Sequence, residues 1–363
     1  MSASEGTESV AADVAEDVID QGTARGSAKS GEALVQVRDL KVHFNLPRPH
    51  MMAPRPVVHA VDGVSFDVPR GSTFGIVGES GSGKTTTALA VLRLVNITDG
   101  TINLGDLRLS HLQGDELRAA RRRVQMIFQD PYSSLNPRTR AGEIVREPLD
   151  LMEVGDARSR GDRVSELFAQ VGLRPEQQQL FPHQFSGGQR QRIGVARALA
   201  TNPELVVCDE PVSALDVAIQ AQILNLLQRL QDELGLTYLF ISHDLGVVQY
   251  ICDEIAVMYL GQVVEQADRL SLFTKPLHPY TWALLSAVPS ARIRDRDRKE
   301  RVRLTGDPPS PIDPPAGCRF AGRCPFAEPR CTAETPALRT FDNGHRVACH
   351  LVTDDGDAPH HAV

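Results

Sequence analysis

Apolar positions along this chain follow two periods in alternation. Thr73-Phe74-Gly75-Ile76-Val77, Leu205-Val206-Val207-Cys208 and Tyr238-Leu239-Phe240-Ile241 are short continuous apolar runs, closed by Gly78, Asp209 and Ser242. Runs of this length ending in such residues predict buried strands. Residues 124–128 form a further predicted strand. Helix-like spacing takes over at residues 86–95, and again at 219–234, where Ile219, Ile223, Leu226, Leu227 and Leu230 share one face. Strands alternating with helices predict an α/β fold with a mostly parallel sheet. Upstream, strand-like sequence begins near Leu34-Val35-Gln36-Val37, and the Pro/Met-rich residues 46–56 predict the long loop of a hairpin. Residues 137–182 break the alternation. There Val164, Leu167, Phe168 and Val171 fall at i, i+3, i+4 and i+7, so a helical insertion into the α/β core is expected.

Composition narrows the class. With 363 residues, 41% hydrophobic and 23% charged, the chain suits one large α/β domain with an extension, or two domains. The net charge of −7 offers no basic surface, so no nucleic-acid partner is expected. No apolar run is long enough to span a bilayer, and the N-terminus lacks the basic start and apolar core of a secretory signal. A cytosolic protein that meets membranes only through partners is expected. Residues 1–33 are acidic and poor in large apolar residues, which predicts a disordered tail, and a second such tail is expected at 356–363. The charge run 292–303 and the Pro-rich residues 307–315 predict a linker into a small C-terminal module. Cys208 and Cys252 sit in apolar company and read as core residues, whereas Cys318, Cys324, Cys331 and Cys349 cluster in that module. Clustered thiols in a cytosolic chain point to metal ligation, although the C-x2-C spacing of zinc ribbons is missing. Zinc, an iron–sulfur cluster, and free or disulfide-bonded thiols all stay open. His345 and His350 are alternative ligands expected at the surface, and the module is expected to lie outside the phosphate machinery in a structural role.

The strongest chemical signal is Gly78-Glu79-Ser80-Gly81-Ser82-Gly83-Lys84-Thr85, which fits G-x-x-x-x-G-K-[ST] between a predicted strand and a predicted helix. Glycines let backbone N–H groups turn around phosphate oxygens, and the helix N-terminus adds its positive dipole. Lys84 is expected on the β- and γ-phosphates of ATP and the Thr85 hydroxyl on Mg²⁺, with Thr86 counted among the phosphate-binding residues. The strand at 205–208 ends in Asp209 and Glu210. Asp209 is expected to bind Mg²⁺, and Glu210 to take the proton of the attacking water.

Phe185-Ser186-Gly187-Gly188-Gln189, followed by the helix-like residues 190–200, places a second donor-rich turn before a second helix. This resembles the signature motif of ABC ATPases, with Phe185 where leucine is usual. The resemblance spans roughly residues 34–273 and extends to elements in the family's order. Gln129 looks like the Q-loop glutamine, a catalytic residue and Mg²⁺ ligand; Ser213-Ala214-Leu215-Asp216 looks like the D-loop; His243 looks like the switch histidine on the γ-phosphate. In that family the signature closes over ATP held by the opposite subunit, so Ser186, Gly187, Gly188, Gln189 and Asp216 are expected at a shared nucleotide site. Phe44 is the candidate for stacking on adenine, with a core role as the alternative and His59 as a second aromatic.

Residues 126–138 (Met-Ile-Phe-Gln-Asp-Pro-Tyr-Ser-Ser-Leu-Asn-Pro-Arg), residues 278–285 and the pattern Cys318-x5-Cys324-Pro325-x5-Cys331 resemble the oligopeptide/dipeptide importer ATPases, in their second paralogue type. The resemblance implies a P-loop cassette over 34–275 with a helical subdomain at about 130–190, and an extension over 276–355. It implies a 4Fe–4S cluster in at least some members, with zinc as the alternative on the same four cysteines. It also implies a second ATPase subunit in a heterodimer, two membrane permeases and an extracytoplasmic binding protein, at the cytoplasmic face of the inner membrane. Nickel or glutathione import, and a soluble ABC switch protein, are the competing functions.

Overall fold

A computed structural model describes residues 31–48, 50–51, 54–130, 132–287, 306–341 and 344–359. The expected N-terminal tail up to residue 30, the charge run 292–303 and residues 360–363 lie outside the described residues.

Two sheets share one body. Strands β1 (Ala33–Asn45) and β2 (Val57–Pro69) are the expected hairpin, and β4 (Asp99–Leu104) pairs with the other edge of β1, all antiparallel. The larger sheet holds β3 (Thr73–Val77), β5 (Val124–Ile127), β6 (Leu205–Asp209), β7 (Thr237–Ser242), β8 (Glu254–Tyr259), β9 (Gln262–Asp268), β10 (Arg339–Thr340) and β11 (Arg346–Val347). Its order is β10-β11-β9-β8-β3-β7-β6-β5, parallel from β8 to β5 and antiparallel beyond. The change of direction is local chemistry. Leu260 and Gly261 both adopt positive φ (44° and 81°), the two-residue turn that suits the twist of an antiparallel hairpin.

The helices are α1 (Lys84–Val91), α2 (Gly114–Ala120), α3 (Ala141–Leu151), α4 (Ala157–Gln170), α5 (Gly187–Leu199), α6 (Val217–Leu234), α7 (Leu245–Ile251), α8 (Arg269–Thr274), α9 (Pro279–Ser286) and α10 (Pro329–Ala333). The central strands explain their uninterrupted apolar sequence. Val206, Cys208, Tyr238 and Phe240 face one apolar layer with the helices, while Leu205, Val207, Leu239 and Ile241 face the other with the β1–β2–β4 sheet. The helical insertion appears where the period changed. Val164, Leu167 and Phe168 of α4 are buried against α3 and α5, and the Asp156 side chain caps α4 by accepting the Ser159 N–H.

The C-terminal extension adds to the cassette's own sheet. Strand β11 pairs antiparallel with β9, setting Val347 opposite Glu265. Glu265 is fully buried and accepts N–H bonds from Leu277 (2.6 Å) and His278 (3.0 Å), with Nε2 of His345 at 2.7 Å. His345 is therefore buried, at 3% exposure, contrary to the surface position expected for it; strand addition carries it onto this carboxylate. His350 is half-buried and lies 2.9 Å from the Glu334 carbonyl. Cys208 and Cys252 are core residues as expected. A Cβ at Gly75 would lie 2.8 Å from the Cys252 sulfur, so the glycine makes room for the thiol.

Candidate functional site

The loop from Gly78 to Lys84 leaves β3 and enters α1, as its sequence predicts. Two of its glycines are required by close approach: a Cβ on Gly78 would sit 2.2 Å from the Met258 carbonyl oxygen, and one on Gly83 2.3 Å from that of Ala60. Both also have left-handed φ, 153° and 100°. Lys84 is buried and donates to the carbonyls of Gly78 and Glu79, each at 2.8 Å, so its ammonium lies along the inside of the loop. Burial pulls its pKa down, opposed by the charges of Glu210, Asp209 and Glu79.

Asp209 ends β6 beside this loop and accepts a hydrogen bond from the Thr85 hydroxyl at 3.2 Å. Burial raises its pKa, and the Thr85 bond and Lys84 act in the opposite direction. Glu210 follows in a left-handed conformation (φ 45°), an uncommon state for a residue with a side chain, held by its N–H bond to the Ile241 carbonyl at 2.9 Å. Its carboxylate collects the two other predicted catalytic groups. Gln129 donates to one oxygen at 2.7 Å, and Nδ1 of His243 lies 2.9 Å from the other. Residues separated by 81 positions in sequence thus meet on one acid, which the motif order alone did not fix.

The signature residues lie elsewhere. Ser186 caps α5, its hydroxyl accepting the Gln189 N–H at 3.3 Å while the Gln189 side chain accepts the Ser186 N–H at 3.0 Å. Gly187 and Gly188 pack on Leu215 and Ile219, next to Asp216 at the N-cap of α6. No hydrogen bond or ion pair among the described residues joins Ser186–Gln189 to the phosphate loop. Phe44 lies on β1 opposite Val58 and is 40% exposed, and His59 contacts the His43 ring.

The C-terminal extension reaches the phosphate loop, which corrects the expectation that it stands apart. The Arg323 guanidinium forks onto Glu79, at 2.8 Å and 3.1 Å to the two oxygens, and the Tyr280 hydroxyl accepts the Glu79 N–H at 2.8 Å. Arg319 pairs with Asp62 of β2 and donates to the Leu260 carbonyl. Buried His278, with its pKa pulled down to about 4 by burial, presents a neutral Nδ1 that accepts the Tyr280 N–H at 3.1 Å. Sequence reasoning missed Tyr280, Arg319 and Arg323. They act across 201 to 257 residues, and their one local signal is that Arg319 and Arg323 adjoin Cys318 and Cys324.

Those two cysteines, with Cys331 and Cys349, line a single pocket together with His278, Phe320 and Leu351. None is in a disulfide. Burial raises the pKa of Cys318 and Cys349 and pushes that of Cys324 up to about 11.

Known proteins share both halves. The ABC transporter family model matches residues 61–213, and the oligopeptide/dipeptide transporter C-terminal region model matches residues 264–331. The oligopeptide transport ATP-binding protein AppF of Bacillus subtilis is 48% identical over 90% of this chain and 99% of its own length. A probable peptide ABC transporter ATP-binding protein of Sinorhizobium fredii is 49% identical over 88% of this chain and 90% of its own length. Among solved structures, a dimeric post-hydrolysis ATP-binding cassette bound to ADP and Pi superposes with a TM-score of 0.57 and 28% identity, over 65% of this chain and 98% of that one. With near-complete relatives matched across cassette and extension alike, the chain belongs to the ATP-binding proteins of ABC transporters, in the oligopeptide/dipeptide branch.

Proposed function

We propose that this chain is the ATP-hydrolysing subunit of an ABC importer of peptides, and that Glu210 is the general base of its hydrolytic step. The observation that carries the assignment is the meeting of Gln129 and His243 on the Glu210 carboxylate, beside a phosphate loop whose Thr85 touches Asp209. The Glu210 carboxylate takes a proton from the attacking water, Gln129 orients that water, and His243 turns toward the γ-phosphate. Lys84 and the N–H groups of Ser80 to Thr86 hold the phosphates. Thr85 and Asp209, whose oxygens lie 3.2 Å apart, would hold Mg²⁺ through two hard oxygen donors, with Gln129 as a third ligand. Held by these residues, Mg²⁺ would supply positive charge against the phosphates.

With Gly187 and Gly188 packed on Leu215 and Ile219, Ser186 to Gln189 serve the ATP of a second ATPase subunit, with Asp216 beside them, in a heterodimer. Among the described residues no helix is long and apolar enough to cross a membrane. Two permeases carry the peptide, supplied by an extracytoplasmic binding protein, and this chain works at the cytoplasmic face beneath them. The helical insertion with Gln129 at its base is the element that moves a permease helix when phosphate contacts change.

Cys318, Cys324, Cys331 and Cys349, which line one pocket, would be the ligands of a metal centre, a 4Fe–4S cluster with zinc as the alternative. Such a centre would stabilise an extension with few elements of its own. Anaerobic purification with elemental analysis should find about four irons per chain. Zinc in their place would keep the ligands and overturn the cluster.

The transport assignment is tested by reconstituting the chain with its partner ATPase and permeases in vesicles. Uptake of labelled peptide should require ATP, and it should stop with Glu210→Gln. Peptide uptake that continues without hydrolysis by this chain would contradict the proposal.

A further inference from the structure

We propose that Arg323 is a positioning residue for ATP: it anchors the phosphate loop to the cysteine lobe and cancels the charge of Glu79. This rests on the assignment of residues 78–85 as the phosphate loop. The arginine side chain is only 9% exposed and makes a two-pronged contact with the Glu79 carboxylate, itself 29% exposed. Its position is set from the C-terminal side, one residue before Cys324 and at the end of the 3₁₀ turn Ala321–Arg323, whose first residue bonds back to the Cys318 carbonyl. Arg319, on the other side of that turn, ties the same segment to Asp62 and Leu260.

Two physical consequences follow. When Lys84 turns its ammonium to a phosphate, the carbonyls of Gly78 and Glu79 lose the donor they share at 2.8 Å. The first turn of the loop then depends on Tyr280, which holds the Glu79 N–H, and on Arg323, which holds its carboxylate. A glycine-rich loop has little conformational preference of its own, so anchors outside it decide how much entropy binding must cost. Charge gives the second consequence. The carbonyl of Glu79 itself accepts from the Lys84 ammonium at 2.8 Å, so the residue lies close to where polyanionic phosphates bind. Paired with a guanidinium, that carboxylate is neutralised; unpaired, it repels ATP.

Mg-ATP titration of the full-length chain, alongside thermal unfolding and iron and zinc analysis, tests the role. Arg323→Gln should weaken Mg-ATP binding by about tenfold while the metal content stays at the wild-type value. Adding Glu79→Gln should recover part of that loss, because the uncompensated carboxylate is gone; a purely structural arginine would give no such recovery. In the assembled transporter the change should fall on KM for ATP and leave kcat within about twofold, since Arg323 touches no reacting group. Should Arg323→Gln not fold, Arg323→Lys keeps the charge and loses the fork, with about a threefold loss expected. Binding within twofold of wild type in Arg323→Gln, a double variant weaker than the single, or an unchanged affinity in Arg323→Lys would each overturn the proposal. A wild-type chain that holds no metal but still binds ATP more weakly without Arg323 would keep the positioning role and remove the cluster.

Discussion

The phosphate loop and the cysteine lobe are both small, irregular and rich in close contacts, yet they are built on opposite principles. The phosphate loop is local in its chain order: strand, glycines, Lys84 and helix follow one another within twenty residues, and Lys84 bonds back to Gly78 and Glu79. The cysteine lobe is assembled at long range. Its strand β11 completes another element's sheet, His345 lies on a carboxylate of β9, and Arg323 crosses 244 positions to reach Glu79. The local element carries its candidate phosphate-binding groups in one strand–turn–helix. The long-range one exists only against the cassette, and the cassette's loop in turn leans on it.

The contrast has measurable consequences of descending size. Glu265→Ala removes the carboxylate that receives Leu277, His278 and His345 in the seam between the cassette's sheet and the C-terminal extension. It should cost about 3 kcal/mol or more in a urea unfolding experiment, the scale for breaking a buried charged network; a loss below about 1 kcal/mol would mean that the seam is not held there. Lys84→Ala acts inside the local element. It should lower Mg-ATP affinity by about tenfold or more, from about 1.5–3 kcal/mol for a charge-assisted contact, while leaving the fold intact. Unchanged affinity would count against the whole loop. Ser186→Arg puts a bulky cation on the capped turn of α5, so turnover of the assembled transporter should fall by about tenfold. Nucleotide binding by the isolated chain should stay as it was; its loss would place Ser186 at this chain's own ATP. Smallest is Phe44→Ala, expected to weaken ATP by about fivefold through lost stacking. No effect there, with a loss in His59→Ala instead, would move adenine recognition to the histidine.

The same contrast explains what was legible in the sequence. Continuous apolar runs gave the central strands because both sheet faces are covered, and the change of period at Val164 to Val171 gave the helical insertion. The strand–loop–helix at 73–91 and the strand that ends at Asp209 were legible because each is written in adjacent residues. The antiparallel side of the sheet was not, since Leu260-Gly261 is too short a signal to separate a hairpin turn from any other. His345 was misplaced at the surface because nothing near it in sequence names its partner Glu265. Arg323, Arg319 and Tyr280 were missed for the same reason: an arginine beside a cysteine carries no mark of a loop 244 residues away.

Proton abstraction by Glu210 during Mg-ATP hydrolysis is the step on which the proposed function stands. The most direct measurement pairs two readouts on Glu210→Gln in the assembled transporter. Mg-ATP affinity should stay within about twofold of wild type while hydrolysis falls by about a hundredfold or more, the scale of losing a general base. Hydrolysis at a near-normal rate, with binding intact, would contradict the assignment of Glu210 and the catalytic role of the groups gathered on it.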